Sequence, residues 1–104
     1  MDCRIVITEP AIADLSEIVG FIARDNPAAA HQFGMGLVAK TKVLIQFPEF
    51  GRQMPEPDLR EFREIVARPY RIIYRFKPEH SLVEILRFWH GARGAPVLIE
   101  PLEE

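Results

Sequence analysis

The chain has 104 residues and a mass of 11.9 kDa, the size of one ordinary domain. Hydrophobic residues make up 48% and charged residues 27% of it, a balance that excludes a disordered chain. No apolar run reaches the roughly 18 to 20 residues of a membrane span, and the N-terminus lacks a signal-peptide pattern. The single cysteine, Cys3, excludes an internal disulfide and a multi-thiolate zinc site. We therefore expect one cytoplasmic domain without a metal ion or cofactor.

The net charge of −2 hides an uneven distribution of charged side chains. Residues 1–59 have a balance of −3 (five basic, eight acidic), and residues 78–104 also have −3 (two basic, five acidic). Between them, residues 60–77 have a balance of +4 (six basic, two acidic). The six basic residues, termed the basic block, are Arg60, Arg63, Arg68, Arg71, Arg75 and Lys77. We expect this block to matter for function.

The N-terminal quarter of the chain predicts a strand followed by an amphipathic helix. Residues 3–8 are rich in β-branched side chains, and Thr8 can cap a helix that has Pro10 in its first turn. Apolar residues then recur at helical spacing, namely Ile12, Leu15, Ile18, Val19 and Ile22. This face of the helix is expected to pack on the core.

A second helix is predicted directly after the first. Asn26 is a good helix cap and Pro27 a good first helical residue, and the helix should run to about Gln46. Because so few residues separate the two helices, they should form an antiparallel hairpin. The segment 48–58 contains three prolines and a glycine and is expected to be an irregular loop.

The remainder of the chain predicts three strands. Residues 60–67 are weakly strand-like, residues 69–76 strongly so, and residues 81–89 form a third run. The connections are short enough for antiparallel hairpins. The predicted fold is α+β with the order β-α-α-β-β-β, in which the helical hairpin packs on one face of a small curved, mainly antiparallel sheet.

One of the three histidines lies at the end of the last predicted strand, where it could take part in catalysis. His31 and His80 are expected to be solvated surface residues, whereas His90 closes the strand and is followed by Gly91. A side chain there lies at the rim of the sheet, and an imidazole near Arg93 can act as a general acid or base. The alternative is a histidine that hydrogen-bonds the following turn.

Two arginines lie on one face of the central strand. Arg71 and Arg75 are on the same face, which Lys77 continues, and converging guanidinium groups can bind phosphate or carboxylate. The alternative is that these cations form cross-strand pairs with Glu64 or Glu84, which the residues alone favour. The aromatic residues of the neighbouring strands are interpreted as core.

Several stretches resemble one family in their order along the chain. They are Ala11, Asp14, Leu15 and Ile18; Asp25-Asn26-Pro27 with Ala29-Ala30; Phe47-Pro48 leading to Gly51-Arg52; PYRIIYRF; and VEILRFWHGAR. Over about residues 4–93 the chain resembles the RelE/ParE superfamily of bacterial type II toxin–antitoxin toxins. The resemblance implies a toxin domain at 1–95 and a cognate antitoxin that covers apolar grooves and is drawn to the basic block. The residues themselves predict an acidic tail at 96–104.

The superfamily divides over its target. RelE-like members cut mRNA on the ribosome, and the resemblance matches Arg71 and Arg93 to phosphate-binding arginines, with His90 as a proton-transfer residue. The chain departs from that pattern because Phe62 and Glu64 stand where RelE-like toxins carry lysines, and no tyrosine follows Arg93.

The departures favour a ParE-like toxin, which binds DNA gyrase and is not itself an enzyme. The residues expected to bind the target or the antitoxin are Arg60, Arg63, Arg68, Arg75, Lys77 and Trp89. A third possibility is a non-toxic module that binds a partner.

Overall fold

The computed structural model describes residues 2–98. Within this range there are two α-helices, α1 (Glu9–Ala23) and α2 (Pro27–Lys40). The strands are β1 (Arg4–Ile7), β2 (Arg52–Gln53), β3 (Arg63–Ala67), β4 (Tyr70–Lys77) and β5 (Leu82–His90). They form one sheet in the order β1-β5-β4-β3-β2. β1 is parallel to β5 and the other neighbours are antiparallel, so the predicted α+β class and mainly antiparallel sheet are confirmed.

The two helices begin where the sequence predicts them. The side chain of Asn26 accepts a hydrogen bond from the Ala29 amide at 3.0 Å, which caps α2. At the start of α1, by contrast, Thr8 makes no side-chain cap; its hydroxyl donates to the Ile85 carbonyl oxygen at 2.8 Å and ties the helix to β5. The predicted hairpin of α1 and α2 is confirmed.

The prediction for the end of α2 was wrong. The α-helix ends at Lys40 instead of Gln46, and the chain continues as a 3₁₀-helix over Thr41–Ile45. The Thr41 hydroxyl donates to the Val38 carbonyl oxygen at 2.7 Å, and Leu44 is completely buried. The tighter helix keeps Leu44 in the core, so tertiary packing decides where the α-helix stops.

The segment 48–58 is more ordered than predicted. It contains the short strand β2, which pairs with the start of β3, and a 3₁₀ turn at Pro57–Leu59. The strand predicted at 60–67 begins only at Arg63. Such a short strand has no periodicity of its own, because its pairing depends on β3.

A bulge interrupts β5. Ile73 pairs with Arg87 and Tyr74 pairs with Ile85, so Leu86 is an extra residue in β5. Beyond this point β1 has ended, and the free edge of β5 meets α1. The bulge therefore lets Arg87 reach a helix next to the sheet.

Two buried clusters lie on opposite faces of the sheet. The larger cluster joins the helices to the sheet through residues such as Ala11, Leu37, Ile72 and Phe88. The second cluster lies on the other face and contains Met54, Phe62, Ile73 and Trp89. Within residues 2–98, no helix is both long and apolar enough to cross a membrane.

Candidate functional site

The three residues required by the nuclease hypothesis do not share one face of the sheet. Arg71 is the cross-strand partner of Trp89 and faces the second cluster. His90 is the partner of Tyr70, on the side of the helices, and Arg93 ends the 3₁₀ turn that follows β5. The structure therefore brings His90 and Arg93 together in one cavity, while Arg71 lies on the face of the sheet opposite to His90.

His90 and Arg93 line a cavity of about 500 Å³ between α1 and the ends of β4 and β5. The Nδ1 atom of His90 accepts a hydrogen bond from the Ala92 amide at 3.1 Å, so the neutral imidazole carries its proton on Nε2. The ring of Tyr70 meets the imidazole edge-on at 5.1 Å between centroids, and burial raises the pKa of Tyr70. The lining of this cavity carries both signs of charge, since it also includes Asp14 and Glu17.

Arg71 is bound by two carboxylates of the chain itself. Its Nε donates to Glu64, and its Nη1 and Nη2 each donate to the Glu56 carboxylate at 2.9 Å. Glu64 is buried and also accepts from the Nε of Arg52 at 2.6 Å. The hydrogen bonds that the Glu56 carboxylate accepts raise the pKa of Arg71. All three nitrogen atoms of Arg71 therefore donate within the protein.

Replacing Glu56 with glutamine is expected to destabilise the fold at neutral pH more than at acid pH. The hydrogen bond from Arg71 lowers the pKa of Glu56, so ionised Glu56 stabilises the folded chain at neutral pH. This contribution is lost as the pH falls below 4.5, the ordinary glutamate pKa, and through the lowered one. We expect Glu56→Gln to cost about 1 kcal/mol at pH 7 and less at pH 3.

Urea unfolding of the wild type and Glu56→Gln at both pH values measures this effect. Glu79→Gln, at an exposed position of the turn after β4, is the control and is expected to change little. An equal loss for Glu56→Gln at pH 3 and pH 7 would contradict the assignment of the effect to the ionised pair.

Most of the remaining basic block is also engaged within the chain. Arg75 donates to Glu84 through Nε and Nη2, and the Nζ of Lys77 lies 3.6 Å from the same carboxylate. Arg63 donates from Nη1 to the Gly51 carbonyl oxygen at 2.8 Å. The cross-strand pairs expected as the alternative to an anion clamp are therefore present.

The other predicted binding residues are divided between surface and core. Arg60 and Arg68 are exposed. Trp89 is buried, with the guanidinium carbons of Arg87 and Arg93 at 4.9 and 4.1 Å from its ring centroid. Cation–π contacts of this kind help to hold the indole in place. The binding roles of these residues stay predictions.

Residues 94–98 cross the second face of the sheet. The indole of Trp89 donates to the Gly94 carbonyl oxygen at 3.1 Å, and Arg87 donates to the Val97 carbonyl oxygen at 2.7 Å. Leu98 packs against the second cluster. The predicted acidic tail at 96–104 thus begins with residues that lie against the sheet, while 99–104 fall outside the described residues.

A buried ion pair was missed by the sequence reasoning. The carboxylate of Asp14 accepts from the Nε and Nη2 of Arg87 at 2.7 and 2.8 Å, and from the Phe88 amide at 3.0 Å. Asp14 is 8% and Arg87 9% exposed. Asp14 shares the buried side of α1 with Ala11 and Ile18, and this position was the available signal.

Two apolar grooves lie along α2. The helix groove, of about 370 Å³ between α1 and α2, has Val19 and Met35 in its wall. The edge groove, of about 470 Å³ between α2 and β3, has Phe33 in its wall and Lys40 and Arg68 among its lining residues. Both grooves are of the kind that a helical or extended partner segment fills.

Comparison with known proteins identifies the family. The family model described as the ParE toxin of the type II toxin–antitoxin system parDE matches residues 5–94. The chain belongs to this ParE toxin family. The resemblance to RelE/ParE toxins is thereby confirmed. The helix hairpin, the cavity at His90 and the sheet, apart from Arg4 at the start of β1, lie within the part that matches.

Proteins named RelE and proteins named ParE are both similar to this member of the ParE family. Toxin RelE2 of Caulobacter vibrioides is 34% identical over 90 residues, covering 86% of this chain and 97% of the relative. The toxin–antitoxin complex RelBE2 of Mycobacterium tuberculosis contains a chain that is 26% identical, with a TM-score of 0.57, over 86% of this chain and 99% of that one.

The chromosomal ParDE system of P. aeruginosa contains a chain with the same fold. Its TM-score is 0.71 at 24% identity, over 85% of this chain and 95% of that one. At this identity the likeness concerns the fold alone. The ParE family member described here is therefore a type II toxin–antitoxin toxin of RelE/ParE type.

Proposed function

We propose that this toxin inhibits growth by binding a protein target such as DNA gyrase, that it does not cleave RNA itself, and that a cognate antitoxin neutralises it. The observation that carries the proposal is the state of Arg71, whose donors are bound by Glu56 and Glu64. The membership of the ParE toxin family supports it.

Cleavage of RNA through its 2′-hydroxyl needs cations that are free to stabilise a charged phosphate in the transition state. On the face that carries Arg71, the positions that hold lysines in RelE-like toxins are occupied by Phe62, which packs in the second cluster, and by buried Glu64. On this face the apolar cluster is buried and the charges next to it are paired within the chain. Such a surface suits contact with a protein better than contact with a polyanion.

The proposed antitoxin has two grooves to fill. Structures of relatives are of toxin–antitoxin complexes or systems, which supports an antitoxin partner for this chain. The helix groove and the edge groove have apolar walls, and Lys40 and Arg68 at the edge groove favour an acidic segment. Burial of these walls would supply affinity through the hydrophobic effect.

A RelE-like nuclease is the second candidate. It is favoured by the 34% identity to toxin RelE2 and by the cavity in which His90 and Arg93 lie together. In this alternative, as the resemblance implies it, Arg71, Arg93 and His90 act on RNA. Loss of His90 and Arg93 would then remove the proton transfer and one phosphate contact.

Variants in this cavity separate the two candidates. We expect toxins carrying His90→Ala or Arg93→Ala to inhibit growth within about twofold of the wild type, since neither side chain performs chemistry. Removal of a general acid or base from a nuclease would instead reduce its rate by about 10² to 10⁴. Induced expression with pulse labelling of DNA and protein synthesis measures both inhibition and its target.

The order in which DNA synthesis and protein synthesis stop distinguishes the candidate functions. DNA synthesis should stop before protein synthesis, with double-strand breaks and induction of the SOS response. If translation stops first and the mRNA is cut within codons, the proposal is wrong and the nuclease candidate is supported. If expression has no effect on growth, the chain is a non-toxic module that binds a partner.

A further inference from the structure

A short turn outside the described site exposes two phenylalanine rings. Phe47 is 61% and Phe50 62% exposed, and neither belongs to one of the two buried clusters. They stand at the two ends of the turn formed by residues 47–50, here termed the aromatic turn. Both residues line one hollow of the surface. Contiguous exposed apolar surface marks binding sites more often than single scattered side chains do.

The backbone of the aromatic turn is closed by hydrogen bonds. The Phe47 amide donates to the Val43 carbonyl oxygen at 3.0 Å, and the Phe50 amide donates to the Phe47 carbonyl oxygen at 2.9 Å. Pro48 occupies the second position, where its fixed φ suits the turn. The turn thus fixes where the two aromatic residues leave the backbone.

Side chains from the sheet hold the turn from below. The Gly51 amide donates to the hydroxyl of Tyr74, which is completely buried, at 2.8 Å. Arg63 donates from Nη1 to the carbonyl oxygens of Gly51 at 2.8 Å and Glu49 at 3.3 Å. Arg63, a member of the basic block, therefore stabilises the backbone of the turn.

A rigid support changes what the two rings can contribute to binding. Aromatic residues have few rotatable bonds and bury a large area, and a backbone that is already ordered loses little entropy when it binds. Protein interfaces obtain most of their affinity from a few anchors of this kind, each enclosed in a pocket of the partner.

The shape and charge of the turn define its partner. Both rings are mostly exposed. A partner that buries them must enclose each ring in a concave surface, which a folded protein has and an isolated extended or helical segment lacks. The hollow between the rings is lined by residues 46–50, all described, and Glu49 is its one charged side chain. A complementary pocket is apolar with a basic rim.

We propose that the aromatic turn inserts Phe47 and Phe50 into an apolar, basic-rimmed pocket of the folded protein target. This inference rests on the proposed function, because it supplies the contact surface of a toxin that acts on a protein. It assigns the antitoxin to the grooves along α2 and the target to the aromatic turn. The 3₁₀-helix Thr41–Ile45 joins α2 to this turn.

The double variant Phe47→Ser/Phe50→Ser of the full chain tests the inference against purified DNA gyrase. Loss of two anchors is expected to weaken binding at least about thirtyfold in calorimetry or surface plasmon resonance. Ile12→Ser is the matched control, since Ile12 is 53% exposed on α1, away from the turn. Its affinity should equal that of the wild type, and thermal unfolding followed by circular dichroism should be similar for all three proteins.

Two results would overturn the inference while the proposed function stands: equal gyrase binding by the double variant and the wild type, or an equal loss with Ile12→Ser. A wild-type chain that neither binds nor inhibits gyrase is a different result, since it refutes the proposed target and with it the partner named for the turn.

Two further variants test how the backbone support and the charge of the aromatic turn contribute to binding. Arg63→Gln keeps both rings but removes the guanidinium bonds to the turn, and we expect gyrase binding to weaken severalfold through lost preorganisation. Glu49→Lys reverses the charge between the rings, and it should slow association at low salt. Unchanged binding by both variants would contradict the roles given to rigidity and charge.

Discussion

Replacing Asp14 with alanine is expected to lower the free energy of unfolding by about 3 to 5 kcal/mol. Both oxygens of this buried carboxylate accept from Arg87, and one also accepts from the Phe88 amide. Without it, a guanidinium group that is 9% exposed loses the carboxylate that accepts from its Nε and Nη2, and a backbone donor at the edge of β5 loses its acceptor. Urea unfolding at pH 7 measures the loss.

A matched variant tests whether burial is the cause. Glu84→Ala removes a carboxylate of the same valence from Arg75 and Lys77, at a partly exposed pair. This variant should cost at most about 1 kcal/mol, because solvent screens the pair. Similar losses for Asp14→Ala and Glu84→Ala would contradict the account of a buried pair.

Gly51→Ala is expected to cost about 3 kcal/mol, the upper part of the usual range for overpacking. A Cβ atom at Gly51 would lie 2.7 Å from both the Glu64 carbonyl oxygen and the Cε1 atom of Tyr74. Neither neighbour can move easily, since one is strand backbone and the other belongs to a completely buried ring. The strand pair and the aromatic turn should both loosen.

The control for this substitution is another glycine. At Gly36, in α2, a Cβ atom would meet nothing within 4 Å. Gly36→Ala should therefore stabilise the protein by about 0.5 to 1 kcal/mol, because alanine favours a helix. Equal stability of Gly51→Ala and the wild type in the same unfolding experiment would contradict the close packing described around Gly51.

Local signals explain why much of the fold was predictable. Asn26 and Pro27 act on the adjacent helix start, and the structure has that cap. Alternation in β4 predicted a strand with one face toward the helices, and Ile72 and Tyr74 lie in the larger cluster. These patterns depend on neighbours in the sequence, which a reader of the chain can see.

The features that were missed depend on residues far apart. The α-helix was extended past Lys40 because Leu44 continues the apolar pattern, while its packing decides the change to a 3₁₀-helix. Likewise β2 exists because β3 pairs with it. Asp14 and Arg87 are separated by 73 residues, and the bulge at Leu86 that lets them meet is not written in any local pattern.

The candidate site was also predictable only in part, namely for contacts between neighbouring strands. Adjacent strands suggested that Arg71 could pair with Glu64, and it does. The second partner, Glu56, comes from a proline-rich loop whose path the sequence does not specify. For this reason the sequence left a free anion clamp open, whereas the structure has an arginine with carboxylates on both sides.

A supercoiling assay with purified DNA gyrase tests the central claim most directly. The purified toxin, added at increasing concentration, is expected to inhibit supercoiling and to increase the amount of cleaved DNA, with His90→Ala as effective as the wild type. The same toxin should leave mRNA intact on translating ribosomes. Full gyrase activity at saturating toxin, together with mRNA cleavage that depends on His90, would contradict the account.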